Sequence, residues 1–226
     1  MAGLLLDTAG IDAGDTAWVL VATALVLMMT PALGLFYAGL TRSKNTLNTF
    51  MMSIASMGVV TIAWVVLGYS FAFGTGNGVV GGFDHVFLRG IGVGPHPGLA
   101  IPDILFVVFE ASFCIITAAL ISGAVVERMR FVPYLVFIVL WSIVVFAPLA
   151  HMVWGGGWLA GQGVLDFAGG VPVEMASGFS ALAAALVVGA RKDYGRQAFL
   201  PHNAVYVLLG AGLLWFGWFG FNGGSA

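Results

Sequence analysis

Long stretches of this chain carry no charge, and no other feature constrains its fold as strongly. From Leu47 to Phe83 there is no Asp, Glu, Lys or Arg. Six apolar runs, four of them without any charge, lie near 16–40, 47–73, 104–126, 131–150, 173–190 and 204–221. A membrane span takes roughly 20 residues at about 1.5 Å rise each, and all six come close. With only 8% of residues charged and 60% hydrophobic, the chain has too few charges to cover a water-soluble domain. The expected fold is therefore an all-α integral membrane protein of about six transmembrane helices, forming one membrane domain over 1–226.

The connections between the runs alternate in character. Three are short and basic: Thr41-Arg42-Ser43-Lys44-Asn45, Glu127-Arg128-Met129-Arg130 and Arg191-Lys192-Asp193-Tyr194-Gly195-Arg196. Two are longer and rich in glycine, 74–103 and 151–172. Seven of the eight Lys and Arg residues lie in the short loops, and only Arg89 lies elsewhere. Basic loops stay in the cytoplasm. This predicts an N-terminus, Gly-rich loops and sixth-span C-terminal end on the outside. No basic region precedes an apolar stretch at the N-terminus, so no cleaved signal peptide is expected.

Gly34-Leu35-Phe36-Tyr37-Ala38-Gly39 in the first run and Gly217-Trp218-Phe219-Gly220-Phe221-Asn222 in the sixth share a small-aromatic texture. Transporters are often built from two repeats of opposite orientation. A five-span unit that begins again at the sixth span fits the texture, and the chain is then expected to be part of something longer.

An ionisable residue within a span costs about 2.5–3.5 kcal/mol on insertion scales, which makes each one a functional candidate. Glu110 shares a helix face with Phe106, Phe109 and Phe113. Three Phe residues alone read as packing or lipid contact. A carboxyl group among them points the face at a cavity. Glu174 follows Pro172 by two residues, in the first turn of the fifth span. Burial favours its neutral acid and a helix N-terminus favours its anion, and a simple cap of its own helix stays open as a reading. Asp166 precedes Gly169-Gly170 and Pro172, where it reads as an acidic cap for free backbone N–H groups.

His151 and Trp154 stand at the outer end of the fourth span, followed by Gly155-Gly156-Gly157. An interfacial aromatic belt is the plain reading for Trp154. Its glycine neighbours also leave room on the ring for a ligand, and aromatic faces attract cations by about 0.5–2 kcal/mol. Other classes are closed. A net charge of −2 gives no footing for nucleic acid, and Cys114 has no partner for an internal disulfide. There is no His/Cys spacing for a metal, no Walker-type phosphate loop and no Ser/His/Asp order. No cofactor and no enzymatic activity are expected. Lys44 and Lys192 both lie in loops, which excludes a retinal protein.

These residues resemble the ammonium transporter family (Amt/Mep/Rh), nearest to its bacterial and archaeal Amt branch. The resemblance rests on Gly34–Leu40 with Lys44-Asn45, on 123–130, on His151-Met152-Val153-Trp154-Gly155-Gly156-Gly157 and on Leu165-Asp166-Phe167-Ala168-Gly169-Gly170. Pro201-His202-Asn203 and 215–226 complete it. It implies a pore-forming homotrimer of eleven-span subunits, each made of two inverted five-span repeats. This chain would supply the first repeat and the first helix of the second. It also implies ammonium or methylammonium as substrate, the inner or plasma membrane as location, and a cytoplasmic regulator of the PII type as a possible partner.

Position by position, the resemblance implies an outer recruitment site at Trp154, Phe113 and Ser225, with Phe109 beside it. It implies a pore gate of stacked Phe113 and Phe221. Asp166 becomes a support of the site that does not touch the ion, and Trp218 and Asn222 belong to the sixth-span motif that supports it. One position departs from the pattern. The family usually has a pore histidine four residues after the Gly-Gly pair, and here Glu174 stands there. Some fungal members carry Glu at that position, so Glu174 is expected mid-pore as a proton relay. Glu110 also departs, since Gln is commoner there. Transport as ammonia plus a relayed proton is the expected mechanism. A sensor of the same fold and a permissive cation channel remain as alternatives.

Overall fold

The computed structural model describes residues 10–226, so the first nine residues of the expected 1–226 domain lie outside the described part. Six helices are long and apolar enough to cross a membrane: α1 (Ala13–Leu40), α2 (Ser43–Phe73), α3 (Asp103–Val125), α4 (Phe131–Gly161), α5 (Gly170–Val188) and α6 (Ala204–Ser225). The described residues contain no β-strand, only isolated bridges at Gly76–Gly81 and Pro95–Pro102 inside one Gly-rich loop. All six predicted spans are present.

The differences lie at the ends. α6 runs on to Ser225, beyond the expected stop at 221, because its glycines are filled by close packing rather than used as a helix end. The fourth helix stays helical to Val153 and then bends at Trp154–Gly157, where Gly156 takes a φ of 78°. α5 begins earlier than expected, with a π-helical turn over Gly170–Met175. Two further π turns interrupt α2 at Trp64–Gly68 and α4 at Ser142–Phe146. Trp64 and Phe146 from these two turns pack edge to face at 6.0 Å.

α3 is the central helix. Val107, Phe109, Phe113, Ile116 and Ile121 are buried against α1, α2, α4 and α5. α1 and α6 run antiparallel along each other, with Gly39 beside Asn203 and Val207 at one end and Gly220 beside Ala22 at the other, so the two segments with matching texture lie at opposite ends of the pair. Close approach through glycine makes this contact possible. A Cβ on Gly220 would come within 2.6 Å of the Ala22 carbonyl oxygen, and one on Gly217 would strike the Met29 side chain. The same device seats Tyr37 of α1 on Gly123 of α3, where the Tyr37 hydroxyl donates to the Leu120 carbonyl at 3.0 Å.

The three basic connections gather at one end. Arg42 pairs with Glu127 at 2.8 Å, Arg128 donates to the Gly189 carbonyl at 2.6 Å, and Arg42 and Arg191 both lie over the Phe199 ring. Asn203 caps α6 there by accepting the Tyr206 N–H, and His202 holds the Thr41 carbonyl. The two Gly-rich loops meet at the opposite end, where Trp158 N–H donates to Gly78 O. The start of α1 is at this second end, through Asp12 N–H to Ala100 O at 2.8 Å. Alternating loop chemistry therefore corresponds to two opposite faces of the bundle. Exposed Leu186, Val187, Leu208 and Trp215 give α5 and α6 an apolar outer surface.

Candidate functional site

At the Gly-rich end a cavity of about 580 Å³ opens between α1, α3, α4 and α6. Four of the expected site residues line it together: Phe109, Phe113, Trp154 and Ser225. They come from three different helices, so only the packed bundle creates the site. Phe109 and Phe113 lie one helical turn apart on α3, with ring centroids at 4.9 Å. Trp154, at the bend of α4, meets Phe113 edge-on at 6.3 Å and 89°. Phe221 of α6 lies against Phe113 at 4.5 Å. Phe113 lines the cavity and Phe221 does not, so the ring pair forms a two-layer floor. Both rings are buried.

The polar groups around this floor are oriented by the backbone. The Ser225 hydroxyl donates to the Phe221 carbonyl at 2.7 Å, which leaves its oxygen lone pairs free to accept. The Trp154 indole N–H donates to the Asp166 carbonyl at 2.6 Å. The Asp166 carboxylate accepts three successive backbone N–H groups, from Gly169 and Gly170 at 2.8 Å and Val171 at 2.6 Å. Asp166 is thus the cap of α5, as read from its place before Gly-Gly and Pro, and it carries the anchor of the Trp154 ring. Gly169, at a φ of 108°, makes the tight entry into the helix.

Glu174, Trp218 and Asn222 are not part of this cavity. Glu174 sits in the π turn of α5 with an exposed side chain. The reading in which it caps its own helix loses support, since Asp166 takes the free N–H groups there. Trp218 and Asn222 share an exposed face of α6, and Trp218 is 42% exposed. Gly217, Gly220, Phe221 and Gly224 turn toward α1 and α3, and helical periodicity then directs 218 and 222 elsewhere. His151 is buried with its two ring nitrogens against the carbonyl oxygens of Ala72 and Asn77, at 3.0 and 2.8 Å. It ties α4 to α2 and the Gly-rich loop and does not line the cavity.

Several lining residues were not legible from sequence. Trp18 of α1 donates its indole N–H to Gly223 O at 2.8 Å and walls the cavity, with Asp15 one turn before it. His96 lies in the first Gly-rich loop. The bridge between Pro95 and Pro102 folds that loop back, and His96 stacks on Phe106 at 3.9 Å while pairing with Asp103 at 2.8 Å. A lone histidine in a loop gives no periodic signal, so only the fold reveals it. Glu110 and Phe106 line the cavity too, as their shared face with Phe109 and Phe113 predicted.

A multi-helix membrane bundle with a ring-floored cavity at one end is a polytopic membrane protein of the channel and transporter class. The sequence profile of the Ammonium Transporter Family matches residues 17–226, and the chain belongs to that family. It is 49% identical over 214 residues to the ammonium transporter of Bacillus subtilis, which covers 94% of this chain and 52% of that protein. Among solved structures, Mep2 of Candida albicans superimposes with a TM-score of 0.89 at 38% identity, over 97% of this chain and 50% of the other. A protein described as a sensor Amt superimposes with a TM-score of 0.85 at 29% identity, over 93% of this chain and 54% of the other. The chain spans about half the length of the curated relatives it matches.

Proposed function

We propose that the complete protein moves ammonium across a cell membrane, with this chain contributing the recruitment site and one side of the pore. The observation that carries the reading is the convergence of Phe109, Phe113, Trp154 and Ser225 on one cavity, with the tilted Phe221 ring directly behind Phe113. Ring faces attract a cation, and the Ser225 oxygen accepts one of its N–H bonds, so the site replaces part of a water shell. Beyond the floor, a bare cation in an apolar passage would carry a large desolvation cost. Separation into ammonia and a proton avoids it. Neutral ammonia passes the Phe113–Phe221 pair, and the proton follows through polar groups, Glu174 among them.

The wider reading includes the inner or plasma membrane, with the basic loops in the cytoplasm and the Gly-rich cavity end outside. The support is the concentration of basic loops at one end of the bundle. It also includes a homotrimer and a PII-type regulator at the cytoplasmic face, both resting on family membership alone. Trp154→Leu or Phe113→Ala in the full-length protein should raise the half-saturating concentration for methylammonium uptake several-fold. Uptake curves that superimpose on wild type would reduce these rings to packing.

The likeness to a sensor Amt supports a second reading, in which the same cavity binds ammonium and the protein signals. Flux into proteoliposomes separates the two, being absent for a pure sensor. A permissive cation channel is a third reading, favoured by the exposed carboxyl group of Glu174. Passage of Na⁺ or K⁺ at rates like those of ammonium would establish it.

A further inference from the structure

We propose that Glu110 is the carboxyl ligand of the cavity, a direct binding partner for a small monovalent cation that donates N–H bonds. This rests on the ammonium reading above and deepens it. Glu110 lines the same cavity as Phe113, Trp154 and Ser225, yet only 8% of its surface is exposed. Its Oε2 is buried with no hydrogen-bond partner. A buried oxygen left in this state is costly, and in native structures such groups are nearly always satisfied. Among the described residues no Lys or Arg lines the cavity, so none of these supplies a basic partner. Among the described residues His96 is the one basic group there, and Asp103 and the Phe106 ring already engage it.

The remaining wall is complementary to a cation. Asp15 adds a second carboxylate near the start of α1, and aromatic rings from Trp18, Phe106, Phe109, Phe113 and Trp154 supply π faces. A divalent metal is a poor fit, since it takes six or more oxygen ligands and finds few here. Ammonium and primary alkylammonium ions fit well: one N–H for the Glu110 carboxylate, another for the Ser225 oxygen, and the remaining surface against rings.

Equilibrium binding of radiolabelled methylammonium to the purified full-length protein tests this without depending on transport. Glu110→Gln keeps the shape and removes the ionisable carboxyl group. The expected result is at least about a tenfold loss of affinity, with Glu110→Asp intermediate. Wild-type affinity in Glu110→Gln would overturn the proposal. If Glu110→Gln does not fold, Glu110→Asp alone decides: weakened binding supports the ligand role, and unchanged binding overturns it. The transport reading fails separately, if wild-type protein binds methylammonium but carries no flux.

Discussion

The indole N–H of Trp154 donates to the main-chain carbonyl of Asp166 at 2.6 Å, while the Asp166 carboxylate holds the N–H groups of Gly169, Gly170 and Val171 at the entry to the next helix. One residue thereby joins the bend of α4, the entry of α5 and a wall of the cavity. Asp166→Ala should expose three unpartnered N–H groups and lower thermal stability by about 1–2 kcal/mol, and Asp166→Asn by less, because one acceptor oxygen remains. Unfolding of the detergent-purified protein checks the order. Methylammonium half-saturation should rise in Asp166→Ala, as the Trp154 ring loses its fixed position.

Glu174 carries a prediction about protons. With the helix start capped by Asp166, its exposed carboxyl group is not engaged by the N–H groups there. Glu174→Gln cannot titrate and should cut ammonium-driven current and change its dependence on pH, while Glu174→His should keep activity. Current recorded against pH in full-length wild type and Glu174→Gln gives the answer. Normalised curves that superimpose would remove Glu174 from the proton path.

Glycines fix how α1 and α6 approach. A side chain on Gly217 would meet Met29, whereas Gly212 on the same helix has open space beside it. Gly217→Leu should destabilise the bundle by about 1–3 kcal/mol or more, and Gly212→Ala should be tolerated. Thermal unfolding followed by size-exclusion chromatography distinguishes them.

The Arg42–Glu127 pair should be sensitive to acid. Burial pushes the Glu127 carboxyl up, but hydrogen bonds from the Arg42 and Asn45 side chains and the Arg42 main chain, with the Arg42 charge, outweigh it and hold the group below its ordinary range. A carboxyl depressed in the folded state stabilises above its unfolded value of about 4.3. That stability disappears as pH falls through the folded value. The difference in Tm between wild type and Glu127→Gln should therefore be constant near neutrality and shrink below about pH 4.

Topology can be tested with thiols, because the native Cys114 is buried. A membrane-impermeant reagent applied from outside should label Gly161→Cys, where the site is open, and leave Ser43→Cys unmodified. The opposite pattern would reverse the proposed orientation.

Much of the architecture was legible in sequence because the contrast between lipid and water is written locally. Long apolar runs with at most one charge marked all six spans, and the basic and Gly-rich connections divided the two ends of the bundle. The convergence of Phe109, Phe113, Trp154 and Ser225 followed from a resemblance in motif, not from periodicity. The cap at Asp166 was readable from its own neighbours, since a cap is a contact over three to five residues.

Side-chain direction between helices was a different matter. Trp218 and Asn222 share a motif with Phe221, yet the glycine contacts of α6 turn them away from the cavity. His96 reached the wall only because its loop folded back onto Phe106, and Trp18 only because α1 lies along α6. The charge pattern alone marked Glu110 as facing a cavity. That its Oε2 is buried without a partner depends on what every neighbouring helix fails to offer it, and such a shortage exists only once the chain is packed.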